Sequence, residues 1–542
     1  MDFVRKDIHT SILKTSKYSQ LTIDDDFNIP DCKDDIENII ATDGNVVVED
    51  VSCEEGKVRV VGVVYFKVMY KTDKDKQNME VFCGEIPIED FVNIDGACKS
   101  NRAESRCRLE DLTISIINSR KLEVRGLIGN EVSIYHEDKV NAAVDLDNGQ
   151  GIECQYKKVA YTETAICKRD VFRIKEEIDI PKTKPNISEI LWSSVELRNM
   201  ETKAGDNSLL IRGEVEIFII YKGQEEHLPI QYLFSVRAIT KEIECQGTTE
   251  GMVLESNCAL GKGDVTIRQD ADGEPRIIGV DYCVDMNIKL YEDKETTLLA
   301  DLYSPQVQVE PETEVFEYEN LLMRNVAKAK VSHRKRISSE GGKLLQICHI
   351  YGNVDIDDVS VKKDSEAMQY AQEDGGDFAS DLKEGMDGKG IIHISGVVKC
   401  NVLYISSNDD PMNCMNVHVP FEHFVEAADM NKETSIRIVP ELDQLGATLL
   451  NSEEMEIKAQ ISLGISVFEK TSSNVITDMK LNDIDYEKKG AMPGIVGYVV
   501  KKDDTIWSIA RKYFATTESI RKVNNLESDA IKEGDRLIIV KS

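Results

Sequence analysis

The sequence has no excess of positive charge and no long hydrophobic segment. Its 542 residues include 66 Lys and Arg against 98 Asp and Glu, which gives a formal net charge of −32. Because negative charge repels phosphate backbones and anionic lipids, nucleic acid is not an expected partner. No segment approaches the roughly 18 to 20 apolar residues needed to cross a bilayer. We therefore predict a folded protein with an acidic surface and no membrane span.

Paired cysteines are also missing. The 13 cysteines are scattered, include no CxxC pair and are odd in number, so one chain cannot pair all of them. Cys283 and Cys400 lie in apolar, strand-like runs, where a reduced thiol packs as a small hydrophobic group. The first 20 residues contain no continuous apolar segment of the kind found in secretion signals. These features predict buried, reduced thiols in a cytoplasmic protein.

Motifs for catalysis or metal binding are not found either. The segment around Lys262 lacks the first glycine and the Ser/Thr of a phosphate-binding loop, and no HExxH or GxSxG motif occurs. Asp270 to Glu274 offers only a fragment of a calcium loop and is predicted to be a hairpin turn. His393 and His418 lie in strand-like runs and are interpreted as structural. We expect no catalytic residue, metal or cofactor, and hence no enzyme.

What the chain does contain is a threefold repeat. Each unit begins with a short apolar motif at helical spacing, continues with a strand-like run in which a glycine precedes a tyrosine by eight residues, and then has a proline before a second apolar stretch. The aligned residues are Ile39, Ile190 and Ile347, then Gly62–Tyr70, Gly213–Tyr221 and Gly396–Tyr404, then Pro87, Pro229 and Pro420. The identical offsets indicate common descent of the three units.

A long strand with period-two alternation ends each unit, most clearly from Val280 to Leu290 and from Met455 to Val467, and less clearly from Leu122 to Ile134. The glycine in each middle strand marks a bulge, a bend or a close backbone approach, of which we favour a shared bend. The fold class is therefore mainly β, with tandem β-sandwich-like repeats followed by a small α+β domain of order βααβ. The predicted domains are residues 1–155, 156–310 and 311–470, the last with an inserted acidic loop at 361–390. A linker at 471–496 and a C-terminal domain at 497–542 follow.

The C-terminal segment closely resembles the LysM family over about 44 residues, from Tyr498 through Asn524 to Ile539. This family binds N-acetylglucosamine polymers such as peptidoglycan or chitin in a shallow groove between two loops. The resemblance implies that the groove is lined by Asp503, Asp504, Thr505 and Ile506 with neighbouring Trp507, and by Asn525, Leu526, Glu527, Ser528, Asp529, Ala530 and Ile531. Several have equally good structural readings: Asp504 and Thr505 as helix caps, Ile506 and Ile531 as core. Trp507 suits sugar stacking, core packing or protein docking.

The family pattern usually has glycine at the position of Asp503, a departure that weakens the case for sugar binding. Charge also separates this domain from the rest of the chain, because it carries +2 from residue 497 onward against −34 for the remainder. A mildly basic domain on an acidic body favours an anionic partner, although lysines on helix faces are usually just solvated.

The three repeats resemble the SPOCS domain of endospore-forming Firmicutes, through FNIPD at Pro30, IDIPK at Pro181 and VPFEHFV at Pro420. SPOCS units joined to LysM are similar to clostridial spore coat morphogenetic proteins. That resemblance implies a non-enzymatic protein of the mother-cell cytoplasm that binds the coat ATPase SpoIVA at the forespore surface and then becomes part of the spore coat. The alternatives are a peptidoglycan-binding wall protein and a self-associating structural subunit of coat, exosporium or spore appendage.

Overall fold

The computed structural model describes residues 2–73, 78–147, 149, 151–225, 230–337, 342–363, 390–408, 410, 412–427, 430, 434–483, 490 and 493–541. The first unit contains β1 (Asp2–Asn28), β2 (Ile36–Glu54), β3 (Lys57–Thr72), β4 (Met79–Asn93), β5 (Arg102–Asn118) and β6 (Lys121–Asp147). The second contains β7 (Glu153–Asp179), β8 (Ile187–Gly205), β9 (Ser208–Gly223), β10 (Ile230–Glu244), β11 (Val253–Gln269) and β12 (Pro275–Tyr303). The third contains β13 (Gln308–Arg336), β14 (Leu344–Lys363), β15 (Gly390–Ser406), β16 (Asn413–Glu426), β17 (Thr434–Asn451) and β18 (Glu454–Asn482). The C-terminal domain contains β19 (Ile495–Val499), α1 (Ile506–Lys512), α2 (Thr517–Asn524) and β20 (Arg536–Val540).

Each unit folds into two antiparallel sheets of three strands. In the first unit the strand orders are β2-β3-β4 and β1-β6-β5, and the other two units repeat this arrangement. Val64 and Val68 of β3 pack with Val124 and Ile128 of β6 in one buried cluster, so the apolar faces of the two sheets meet. The predicted mainly-β fold class, with sandwich-like repeats and a small α+β domain, is confirmed.

The repeated glycines lie opposite bulges in the neighbouring strand. Gly62 and Gly396 each pair next to a register shift, between Val48 and Asp50 in the first unit and between Ile356 and Asp358 in the third. A Cβ added to Gly62 would lie 2.5 Å from the Val47 carbonyl oxygen. Because real Cβ atoms do not approach an oxygen this closely, these positions require glycine. The structure therefore shows a bulge in the neighbouring strand with a close backbone approach at the glycine, and not the shared bend that we favoured.

The repeated isoleucines and tyrosines form direct cross-strand pairs. Ile39 pairs with Tyr70, Ile190 with Tyr221 and Ile347 with Tyr404. The predicted alignment of the three units is confirmed at these positions. The apolar motifs at helical spacing lie in strands and not in helices. Their spacing departs from period two because β2, β8 and β14 contain bulges at these motifs.

The predicted alignment is wrong for the proline of the second unit. Gly62 pairs with Ile88 and Gly396 with Phe421, so Pro87 and Pro420 occupy equivalent positions in β4 and β16. Gly213 pairs with Ile239, which puts Ala238 at the equivalent position in β10. Pro229 precedes β10 and lies outside the described residues. The sequence around Pro229 resembles the segments around Pro87 and Pro420, but it is not structurally equivalent to them.

The boundaries also differ from the sequence prediction. The ends predicted at residues 155 and 310 fall just inside β7 and β13, and β18 continues past residue 470 to Asn482. The linker prediction is thus wrong for residues 471–482, where the strand is held by pairing with β13. Most of the predicted acidic loop, residues 364–389, lies outside the described residues.

The three units pack against one another. One shared cluster contains Met69 of the first unit, Trp192 and Phe218 of the second, and Tyr351 and Leu403 of the third. A second cluster forms where the long strands extend beyond the sandwiches, and its members are Ile8, Val140, Ala142, Val159, Tyr161, Leu298, Phe316, Tyr318 and Val475. Each unit therefore contributes to two common cores, and the repeats form one body.

Polar side chains between the units differ at equivalent register positions. Glu104, Glu255 and Arg437 pair with Ser133, Lys289 and Ser466, respectively. Across the unit boundaries, Lys289 Nζ lies 2.6 Å from Glu104 Oε2, and Ser466 Oγ donates to Glu255 Oε2 at 3.1 Å. Buried polar groups of this kind favour one specific pairing of partners. The three units are complementary to one another and not interchangeable.

Candidate functional site

The C-terminal domain has a small core built from both strands and both helices. Val496 and Tyr498 of β19 and Leu537 and Ile539 of β20 face the helices, and Ile509 and Ile520 are buried between them. Asn524 joins α2 to β20, because its side chain accepts from the Ile538 N–H and donates to the Ile538 carbonyl, each at 2.7 Å. These contacts fix the two loops that the sequence assigns to the groove.

The first loop is held by capping interactions. Thr505 is the N-cap of α1, and its hydroxyl accepts from the Ser508 N–H at 3.0 Å in a capping box. Asp504 accepts from the Tyr498 hydroxyl at 2.7 Å and from the Lys501 N–H at 2.8 Å. The Lys501 N–H and the Tyr498 hydroxyl lower the pKa of Asp504, and the same contact raises the pKa of Tyr498 to about 12.

Two further residues of this loop have contrasting environments. Ile506 is 1% exposed and belongs to the core. Asp503 is exposed and has a φ of 68°, in the left-handed region that favours glycine. Where the LysM pattern usually has glycine, this chain therefore has an aspartate in a backbone conformation that favours glycine.

The second loop begins at the C-cap of α2. Asn525 has φ 53° and ψ 42°, and the Leu526 N–H donates to the Arg521 carbonyl at 3.0 Å, which ends the helix. A shallow, open groove beside this turn is lined by Glu518, Arg521, Lys522, Asn525, Leu526 and Glu527. Of the predicted site residues, Asn525, Leu526 and Glu527 line it, whereas those of the first loop do not.

The remaining residues of the second loop separate by exposure. Ser528, Asp529 and Ala530 are exposed, whereas Ile531 is partly buried against the core. Asp529 Oδ1 lies 3.4 Å from Arg521 Nε, so a carboxylate and a guanidinium meet at the groove. The groove therefore offers charged groups of both signs, an amide and the apolar surface of Leu526.

Trp507 points away from this groove and toward the second unit. Its indole Nε1 donates to Asp301 Oδ2 at 2.9 Å, and its ring meets the Tyr303 ring edge-on with centroids 4.7 Å apart. Arg511 of the same helix donates to Asp301 Oδ2 at 2.7 Å. Trp507 thus packs against the core of its own domain and also docks this domain on the second unit, so the structure shows two of its three predicted roles, and the docking is intramolecular.

Residues that sequence reasoning did not single out complete this docking contact. The Tyr303 hydroxyl donates to the Ala515 carbonyl at 3.0 Å, and the Thr517 hydroxyl donates to Glu153 Oε2 at 2.9 Å. Burial raises the pKa of Tyr303 above its usual range. Tyr303 lies about 200 residues before Trp507, and no pattern in the sequence connects the two.

The segments considered for chemistry have structural surroundings. Asp270 and Glu274 close the hairpin between β11 and β12, where the Asp270 N–H donates to the Glu274 carbonyl at 2.8 Å. This confirms the predicted turn. His393 lies in β15 and stacks on Phe424. Within the described ranges, no three or more His, Cys, Asp or Glu side chains are grouped as metal ligands.

The part of the chain that the structure describes contains no helix of the length and apolar character that crossing a bilayer requires.

Comparisons with known proteins identify both parts of the chain. The family model described as SipL, SPOCS domain, matches residues 35–117, 186–268 and 343–450, which together are just over half of the chain. The model of the LysM domain matches residues 498–540. No solved structure matches the chain. The SPOCS segments include β2–β5 and their counterparts but leave out the first and last long strands of each unit.

Proposed function

Because the chain belongs to the SipL family of SPOCS-domain proteins, we propose that it is a non-enzymatic assembly protein of the spore coat. It acts in the mother-cell cytoplasm at the forespore surface and later becomes part of the coat. Its partner is the morphogenetic ATPase SpoIVA, and its LysM domain is a binding module in this contact. The family membership supports the setting, and the absence of a catalytic motif in the sequence supports a non-enzymatic role.

The observation that carries this proposal is the way the LysM domain sits on the repeats. It docks through Trp507 and Arg511, so the face with Asn525 and Glu527 stays exposed. The three units form one body through common cores. A binding module docked in this way holds its partner at a fixed place relative to the three units. A protein that connects the forespore surface to the coat needs such a fixed attachment.

The groove also presents cations that a protein partner can contact, each beside a carboxylate: Lys522 Nζ lies 2.6 Å from Glu518 Oε1, and Arg521 Nε lies 3.4 Å from Asp529 Oδ1. Arg521 and Lys522 lie on the last turn of α2, and Lys522 is 74% exposed at its side chain. A cation at such a place contributes mainly to the rate and specificity of association. Lys522→Glu is therefore expected to weaken the proposed contact without unfolding the domain.

A pull-down with purified SpoIVA tests the proposal. The full chain and the Lys203→Glu variant, which changes an exposed lysine of the second unit (61% at its side chain), should capture SpoIVA. The chain ending at Asn482 and the Lys522→Glu variant should capture much less. Equal capture by all four proteins would remove the LysM domain from the contact, and no capture by any of them would refute the proposed partner.

Peptidoglycan binding is a second candidate, and the conformation of Asp503 favours it. Asp503 has the left-handed backbone conformation that glycine favours, and Ser528 to Ala530 are exposed. Sedimentation with insoluble peptidoglycan tests it. Co-sedimentation of the full chain but not of the chain ending at Asn482, without capture of SpoIVA, would make the glycan the better assignment.

A further inference from the structure

The three units expose equivalent edge strands that are not equally protected. In the sheets ordered β2-β3-β4, β8-β9-β10 and β14-β15-β16, the strands β4, β10 and β16 have a neighbour on one side only among the described residues. Pro87 and Pro420 lie at equivalent positions in β4 and β16. Proline in an edge strand removes a backbone donor and hinders the addition of another strand. In β10 this position is Ala238, which leaves the donor in place.

The direction of the free backbone groups follows from this comparison. Both prolines pair within their sheets, so the missing N–H belongs on the open side of the strand. Because backbone direction alternates along a strand, the groups of Phe234, Val236, Ala238 and Thr240 all point to the open side of β10. Lys184 donates to the carbonyl of Tyr232, so the open stretch begins after that residue.

The same residues carry an exposed apolar stripe. Tyr232, Phe234 and Val236 are 41%, 51% and 42% exposed, although each is a large hydrophobic side chain. The positions equivalent to Phe234 and Val236 are Cys83 and Glu85 in β4. In β16 they are Asn416 and His418. The β10 edge therefore combines an unblocked backbone with an apolar surface, whereas β4 and β16 have proline at the position of Ala238 and no large apolar side chain at those of Phe234 and Val236.

The stripe continues a contact that already exists between units. The Tyr232 hydroxyl accepts from Gln346 Nε2 of the third unit at 3.0 Å, and the Tyr232 and Phe218 rings lie 6.2 Å apart. Phe218 belongs to the core shared by all three units. An occupant of the β10 edge would therefore extend a packed apolar surface.

We propose that the β10 edge pairs in antiparallel fashion with the β10 edge of a second copy of this chain. The symmetric register sets Val236 opposite Ala238 of the other copy and Phe234 opposite Thr240. It also brings Glu242 of each copy to Tyr232 of the other, whose ring is covered by Lys184 with Nζ 4.9 Å from the centroid. The strand is thus complementary to itself in backbone and at its two ends, where Glu242 meets Lys184, whereas Arg237 of each copy lies opposite Arg237 of the other at the centre.

Net charge makes this pairing dependent on salt. Each chain carries a formal charge of −32, so two copies repel each other at low ionic strength. Raising the salt from about 0.05 to about 0.5 M shortens the screening length from more than 10 Å to less than 5 Å. The dimer is therefore expected to strengthen with salt. This inference is independent of the proposed function, because it involves neither the LysM domain nor SpoIVA.

Sedimentation equilibrium of the full chain tests the proposal. The natural sequence should show a monomer–dimer equilibrium, and Ala238→Pro and Phe234→Glu should weaken it by about tenfold or more. The prolines of β4 and β16 indicate that the fold accepts Ala238→Pro. Phe91→Glu is the matched control, because Phe91 is 44% exposed on the edge strand of the first unit. It should leave the dimer unchanged.

A charge exchange protects the test against misfolded variants. Lys184→Glu and Glu242→Lys should each weaken the dimer, and the double variant should restore it. A monomer at about 100 μM in both salts, or a dimer that survives Ala238→Pro and Phe234→Glu, would overturn the proposal. So would a monomeric chain that binds an extended strand of another protein at β10, since the occupant would then not be a second copy.

Discussion

The contact between the LysM domain and the second unit should depend on one carboxylate. Asp301 accepts from both the Trp507 indole at 2.9 Å and the Arg511 guanidinium at 2.7 Å. A hydrogen bond to a charged acceptor is worth about 1.5 to 3 kcal/mol. Arg511 is half exposed, so its ion pair adds at most about 0.5 kcal/mol. Asp301→Ala should therefore weaken docking by about 2 kcal/mol.

Two tryptophans make this effect measurable. Trp192 is 1% exposed in the core between the units, so acrylamide quenching of tryptophan fluorescence reports almost entirely on Trp507. A loss of about 2 kcal/mol raises the undocked population up to about 30-fold. Asp301→Ala should therefore increase the quenching constant.

Asp301→Asn is the control, because asparagine keeps an oxygen acceptor for the indole but loses the charge. We expect it to cost about 1 kcal/mol and to give intermediate quenching. If Asp301→Ala quenches like the natural protein, then the aromatic contact with Tyr303 or the linkage at Thr517 holds the domain, and the reasoning from Asp301 is wrong.

Three further predictions concern single positions. Gly396→Ala should lower the free energy of unfolding by about 1 to 3 kcal/mol in urea titration, because its Cβ would lie 2.3 Å from a backbone carbonyl of the adjacent strand; Gly446→Ala, with open space around it, should be close to neutral. Asp503→Gly should stabilise the LysM domain by about 0.5 kcal/mol in thermal unfolding, since it relieves a left-handed residue; an unchanged melting temperature would show that the aspartate is held by a contact. The pKa of Tyr498 is raised to about 12 in the folded protein, so the tyrosine of the unfolded chain ionises at lower pH. The stability that its hydrogen bond to Asp504 provides should therefore be lost as pH rises from about 10 to 12. Tyr498→Phe should abolish this loss of stability, and a loss that persists in the variant would assign it to another group.

The strands that could be predicted from the sequence are those whose buried residues all face one core. From Val280 to Leu290 and from Met455 to Val467, alternate residues face a single core, so the period-two pattern is clear. It fails at Val475 and Ile476, which are adjacent yet both buried, because they face two different clusters between units. This is why residues 471–482 read as a linker although they form a strand.

In the candidate site, too, the features that depend on nearby residues could be predicted, and those that depend on distant residues could not. The cap at Thr505 and the helix end at Asn525 depend on local sequence, so the LysM pattern placed both loops correctly. The role of Trp507 depends on Asp301, about 200 positions earlier in the chain, and no local pattern contains that information. The wrong alignment of Pro229 had a similar cause. Only the pairing of Gly213 with Ile239 shows that Ala238, and not Pro229, is equivalent to Pro87 and Pro420.

The complementary polar groups of the three units have a consequence for stoichiometry. Three identical chains around an axis would present every surface feature three times. Here the three units are covalently joined and their equivalent pairs, Glu104–Ser133, Glu255–Lys289 and Arg437–Ser466, differ. A feature that one unit acquires therefore occurs once per molecule. The protein has one LysM domain, and among the equivalent edges β4, β10 and β16 only β10 lacks the proline. Single sites of this kind give the protein a defined valency, which allows linear connections and prevents the branching that a threefold node would impose.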